Sequence, residues 1–140
     1  MIQIEKVIQE FKDKSDGKYI DDFLPNNDFI EQYEKKLCFK FPEDYKRFLY
    51  TEMNYYLGDL EFFQLTKGFD HIDELLKESH KAWELGVPKH WLAFSTDNGN
   101  YFCFDEKGVI HYWSHDGVVD ESWPDFKTWL KKVWIEENET

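Results

Sequence analysis

The chain predicts an α+β fold, in which an antiparallel sheet of four to six strands is packed against by N-terminal helices and by a helix at the C-terminal end. Three observations carry this. Apolar residues recur at helical spacing through the first half, short alternating runs separated by turn residues fill positions 91 to 119, and a last apolar stripe with a 3.6 period closes the chain.

The first helix is marked by Ile4, Val7, Ile8 and Phe11 at i, i+3, i+4 and i+7. Asp13 to Asn27 mixes charge with Gly17 and Pro25 and reads as a loop. Asp28 is the expected cap of the next helix, with Glu31 as its reciprocal partner and Phe29, Ile30, Tyr33 and Leu37 on the buried side. Pro42 opens a third helix, where its missing N–H costs nothing. Glu43 and Asp44 occupy the first turn, near the positive end of the dipole. Tyr45, Phe48, Leu49 and Met53 face inward.

Asn54 to Gly58 ends that helix, and Leu60 to Leu65 is an aromatic-rich strand. Asp70 is the expected cap of a helix bearing Ile72, Leu75, Leu76 and Trp83, stopped by Gly86 and Pro88. Three turns then organise a meander. Asp97-Asn98-Gly99-Asn100 joins Trp91–Ser95 to Tyr101–Asp105, because Asn and Gly accept positive φ. Glu106-Lys107-Gly108 leads into Val109–His115, and Asp116-Gly117 leads into a brief strand at Val118 and Val119. Ser122 and Asp125 have the spacing of a capping box around Pro124, ahead of a stripe formed by Phe126, Trp129, Leu130, Val133 and Trp134. No repeat or low-complexity linker divides residues 1–140, so one domain is expected.

Charge narrows the function. The 140 residues carry 17 Lys and Arg against 29 Asp and Glu, a formal net charge of −12. Such a surface repels phosphate backbones and anionic lipid, which counts against nucleic-acid and membrane partners and suits a basic protein partner. Arg47 is the only arginine, so bidentate phosphate recognition would rest on one group. Thirteen Phe, eight Tyr and six Trp are more rings than a core of this size hides, which leaves some for a surface. The start MIQIEKVIQEFKDK interrupts its apolar positions with charge, unlike a secretory signal, and no run approaches a membrane span. Cytoplasm is the expected location. Cys38 and Cys103 lie in apolar segments and read as reduced, buried thiols.

Searches for chemistry return little. No phosphate-binding glycine loop is present. Ser114-His115-Asp116 are neighbours on a strand, whose side chains alternate between faces and cannot converge as a triad. Cys103 could pair with His111 or His115 across a hairpin, yet Phe102 and Phe104 on either side favour a small buried hydrophobe. His111 and His115 would stand about 13 Å apart on one strand, too far to share a zinc ion. His115, Asp116 and Asp120 would come together only if the turn began earlier than expected. His71, Glu74 and Glu78 read as a solvated helix face, and among the many carboxylates only Asp105 has an apolar flank that would raise its pKa. No catalytic residue, cofactor or metal site is therefore assigned.

Four segments carry a family resemblance: Ile30 to Leu37, then Phe41-Pro42-Glu43-Asp44-Tyr45-Lys46-Arg47-Phe48-Leu49, then Gly99-Asn100-Tyr101-Phe102-Cys103-Phe104-Asp105, and finally Ser122-Trp123-Pro124-Asp125-Phe126-Lys127-Thr128-Trp129-Leu130. In order and spacing they resemble the SMI1/KNR4 (SUKH) superfamily over about residues 28 to 134. The family's usual Asn-Gly-Gly turn is replaced by Asn54-Tyr55-Tyr56. The resemblance implies a non-enzymatic binding role: an immunity protein that neutralises a polymorphic or contact-dependent bacterial toxin such as a nuclease, or a general protein-interaction module without a toxin partner. A toxin that holds phosphates is basic, so the expected contacts are acids and rings on the sheet and its turns: Asp97, Tyr101, Glu106, Trp113, Asp116, Asp120 and Glu121. Pro42, Tyr45, Phe48, Leu49, Phe126, Trp129 and Leu130 are expected to serve the fold instead. A hydrolase is the competing class and would need His111 or His115 beside an acid or Cys103. Oligomeric state is not assigned.

Overall fold

The structure, a computed structural model, describes residues 3–18, 25–52, 55–56, 61–63, 65, 74–97, 99–114 and 116–136. Helices α1 (Ile4–Lys14), α2 (Asn27–Leu37) and α3 (Glu43–Glu52) come first. Two short strands, β1 (Gly17–Lys18) and β2 (Tyr55–Tyr56), pair antiparallel as a separate ribbon. The segment expected to be a plain loop thus contains a strand. Its partner is Tyr55–Tyr56.

The main sheet has five strands in the order β3 (Glu61–Phe62), β4 (Leu92–Asp97), β5 (Asn100–Phe104), β6 (Ile110–Ser114) and β7 (Gly117–Trp123), every neighbour antiparallel. Asp97 pairs with Asn100, so the β4–β5 connection is two residues long, and Gly99 has the φ of +86° that such a tight turn requires. Strand β3 is shorter than the Leu60–Leu65 run that predicted it. Strand β7 is longer than Val118–Val119 and takes in Ser122.

Helices cover both sides. On one, Phe94 and Phe104 stack at 4.2 Å, and Tyr45 of α3 lies 5.7 and 5.1 Å from them. Phe126 and Trp129 of α5 (Phe126–Trp129) complete this face, with Phe48 bridging out to Phe11 of α1. Phe94 reaches this cluster from a bulge, because Ala93 pairs with Cys103 and Ser95 with Phe102. On the other face lies α4 (Leu75–Leu85), whose buried Ser79 hydroxyl donates to the Ala93 carbonyl. Strand β5 is consequently buried on both sides.

Several helix ends differ from expectation. The α2 cap is Asn26, whose side chain accepts from the Phe29 amide, while Asp28 sits in the first turn. Pro42 precedes α3 and its carbonyl accepts from Lys46 N. Helix α4 is capped by Glu74, and Asp70 and Ile72 lie outside the described residues, as do Met53 and Asn54. Glu74 is fully buried and not on a solvated face: its carboxylate accepts from Leu76 N, Lys77 N and Tyr33 Oη. A buried carboxylate is tolerable here because three donors replace its water. At α5, Asp125 caps alone by accepting from Thr128 N, since Ser122 belongs to β7.

The last helix keeps α geometry for one turn and then continues as a π-helical segment, Leu130–Glu136. Leu130, Val133 and Ile135 of this segment are buried. Lys131 ties this segment to Glu10 of α1 at 2.5 Å.

Candidate functional site

Burial separates the expected contact residues. Tyr45, Phe48, Leu49, Phe126, Trp129 and Leu130 are buried in the core, with Pro42 half-buried beside the Gly108 turn. Tyr101 is only 4% exposed, sandwiched by Phe63 and Trp113, and its hydroxyl pKa is raised by burial and by the nearby Glu78 carboxylate. It is a core ring and not a surface contact. The period-2 alternation that set it apart from Phe102 and Phe104 is real, but α4 covers the face it points to.

Glu106 is exposed on the β5–β6 turn, at the far end of the sheet from Asp97 and Asp116. It lines a cleft of about 220 Å³ with Cys38, Phe39, Lys40, Lys89 and His90. Lys40 and Lys89 are its neighbours there, and the hairpin acids Asp116, Asp120 and Glu121 are not. Cys38 is exposed there, as the α2 cap with φ +53°, which corrects the expectation of a buried thiol. Cys103 is buried, and desolvation pushes its thiol well above the ordinary range. It is a packing residue with no access to thiolate chemistry.

The β6–β7 hairpin holds the remaining candidates except Asp97. Val109 to Trp123 contains no lysine or arginine, three acids and three large rings. Asp116 is exposed in its turn, and Asp120 and Glu121 are exposed on β7, the edge strand. His111 pairs with Ser122 and Trp113 with Val118, so Val119, Asp120 and Glu121 oppose Tyr112 alone. That bulge interrupts the ladder and blunts the edge against strand addition. The Asp97 backbone ends β4 at the same end of the sheet as Asp116, while the Asp97 side chain and His115 lie outside the described detail.

The hydrolase alternative needed His111 or His115 beside an acid, and the structure does place His111 beside Asp105. His111 Nε2 lies 2.9 Å from Asp105 Oδ2, and the imidazole stacks on Trp91 with centroids 4.4 Å apart and planes 7° from parallel. Asp105 Oδ1 accepts from Lys107 N and Val109 N. Burial would raise the Asp105 pKa, but these bonds and His111 outweigh it and leave the carboxyl below its ordinary value. The expectation of a raised pKa there is thus reversed. A hydrogen-bonded Asp–His pair could orient a base, yet the cross-strand thiol of Cys103 is buried and the pair instead closes the β5–β6 turn. Spacing hinted at it, since the two stand six positions apart across a tight turn.

Among the described residues no three His, Cys, Asp or Glu side chains could share a metal ion, and no helix is long and apolar enough to cross a membrane.

Comparison with known proteins adds lineage. Residues 4–135 match the family model SUKH_5, described as SMI1-KNR4 cell-wall. A crystal structure of a protein from Pseudomonas syringae pv. tomato superposes with a TM-score of 0.83 at 30% identity, covering 94% of this chain and 98% of that one. No curated protein matches.

Proposed function

The chain belongs to the SMI1/KNR4 (SUKH) family, and from that premise we propose that it is a non-enzymatic immunity protein that binds and neutralises a basic polypeptide toxin in the cytoplasm. The observation that carries this reading is the β6–β7 hairpin, where acids and rings share an edge that holds no cation. Acids at the rim raise the rate of encounter with a basic surface, and rings supply the buried contact that slows dissociation. The overall charge of −12 acts in the same direction at longer range.

The test is co-expression with the product of an adjacent toxin-like gene, followed by co-purification and a growth assay. Wild-type protein is expected to bind and to rescue growth. Reversal of Asp116, Asp120 and Glu121 to Lys together is expected to slow association and weaken its dependence on salt. Failure of the wild type both to bind and to rescue rejects that toxin as the partner. Full rescue by the triple variant, with unchanged salt dependence, moves the interface off this edge.

A further inference from the structure

Helix α4 covers only part of its face of the sheet. It ends at Gly86, where an added Cβ would stand 3.5 Å from the Trp113 ring, and Leu85 just before it is 54% exposed. Beyond that point His111 and Trp113 are half-buried, whereas Tyr101 and Cys103, their partners on β5, are buried. Trp91, also half-buried, lies flat against His111, and its main chain is held by the Trp83 indole, which donates to the Trp91 backbone carbonyl at 2.8 Å. The result is a strip of pre-positioned rings, Trp91, His111 and Trp113, open between the end of α4 and the edge strand.

We propose that this strip is where an arginine side chain of a basic partner polypeptide docks, its guanidinium plane laid on the indoles and its charge facing the acids of the hairpin. The inference rests on the reading of the protein as a binder of a basic toxin and names the contact that reading requires. Charge complementarity chooses the occupant: the hairpin bordering the strip carries Asp116, Asp120 and Glu121 and no lysine or arginine. Indole faces attract cations, and guanidinium, being planar and weakly hydrated, stacks where ammonium does not. Because Trp91 stacks on His111, His111 bonds Asp105 and Trp113 packs on Tyr101, little ordering cost opposes binding.

The experiment titrates isotope-labelled full-length protein with a hexapeptide of alternating glycine and arginine, and with its neutral isostere in which citrulline replaces arginine. The arginine peptide is expected to give saturable shifts at the Trp91 and Trp113 indole N–H resonances, with Trp123, on the opposite face, unmoved. Trp113→Leu should raise the half-saturating concentration about tenfold, the loss of one ring anchor. D120N with E121Q, which leaves the core untouched, should raise it several-fold. Equal shifts with the citrulline peptide, or shifts spread over other acidic faces while Trp91 and Trp113 stay still, would overturn the proposal. The growth assay separates the two readings. Peptide binding at the strip without rescue by any wild-type pairing rejects toxin immunity but supports the strip, whereas rescue unaffected by Trp113→Leu rejects the strip and leaves immunity standing.

Discussion

Two buried tyrosines show how differently one hydroxyl can act. Tyr33 donates to Glu74 at 2.6 Å, and its loss would leave a fully buried carboxylate short of a donor. Tyr33→Phe is expected to cost about 1–3 kcal/mol. The Tyr45 hydroxyl, among Phe41, Phe94, Phe104 and Phe126, has no hydrogen-bond partner among the described residues, and burial raises its pKa far above the ordinary value. Tyr45→Phe should therefore leave stability unchanged or raise it by about 1 kcal/mol, because an unsatisfied polar group is removed at constant shape. Urea denaturation of both variants checks the contrast, and equal losses would show that Tyr45 is bonded after all. Phe48 is wholly buried between Phe11 and Phe126, so Phe48→Ala should cost about 3–5 kcal/mol through lost burial and the cavity left behind. A loss below about 1 kcal/mol would mean the α3 face is wrongly assigned.

At the scale of elements, the β5–β6 turn is held by one carboxylate. Asp105 accepts from two backbone amides and from His111, and its pKa is lower in the folded chain than in the unfolded one. The sign follows directly: the stabilisation is fully present above the ordinary carboxylate pKa and is lost as pH falls through the lowered folded value. Asp105→Asn keeps the shape but removes that titration. Its stability relative to wild type should be poorest at neutral pH, and the gap should close in acid. A gap independent of pH between 2 and 7 would contradict the role assigned to the carboxylate.

On the scale of the whole molecule, the exposed acids Asp116, Asp120 and Glu121 lie on the β6–β7 hairpin, while Lys40 and Lys89 line the cleft beside the β5–β6 turn. If a basic partner is recognised at the acidic edge, long-range attraction should dominate the association rate and contribute little to dissociation. Raising salt from about 0.05 to about 0.5 M, which shortens the screening length several-fold, should slow association of the cognate complex by roughly tenfold or more. Stopped-flow measurement with wild type and the Asp116, Asp120, Glu121 reversal would reveal this, and a dissociation rate that carries most of the salt effect would argue for buried ion pairs instead.

Periodicity and turn chemistry alone determined most of the architecture. Phe126 and Trp129 at helical spacing, the Asn98-Gly99 connection and the alternating runs on either side specify a closing helix and an antiparallel hairpin, because those signals are local and act before any tertiary contact forms. The acidic, aromatic and cation-free stretch from Val109 to Trp123 was equally legible, since composition needs no fold. Only the tertiary structure decided what covers each face. Tyr101 and Glu74 look exposed in sequence, but α4 lies over the first, and the second turns inward to Tyr33, forty-one residues away. The bulge that sets Val119, Asp120 and Glu121 against Tyr112, and the stack of Trp91 on His111, arise from strand register and from a loop packing on a distant strand. Such pairings depend on three-dimensional neighbours, which a one-dimensional pattern does not encode.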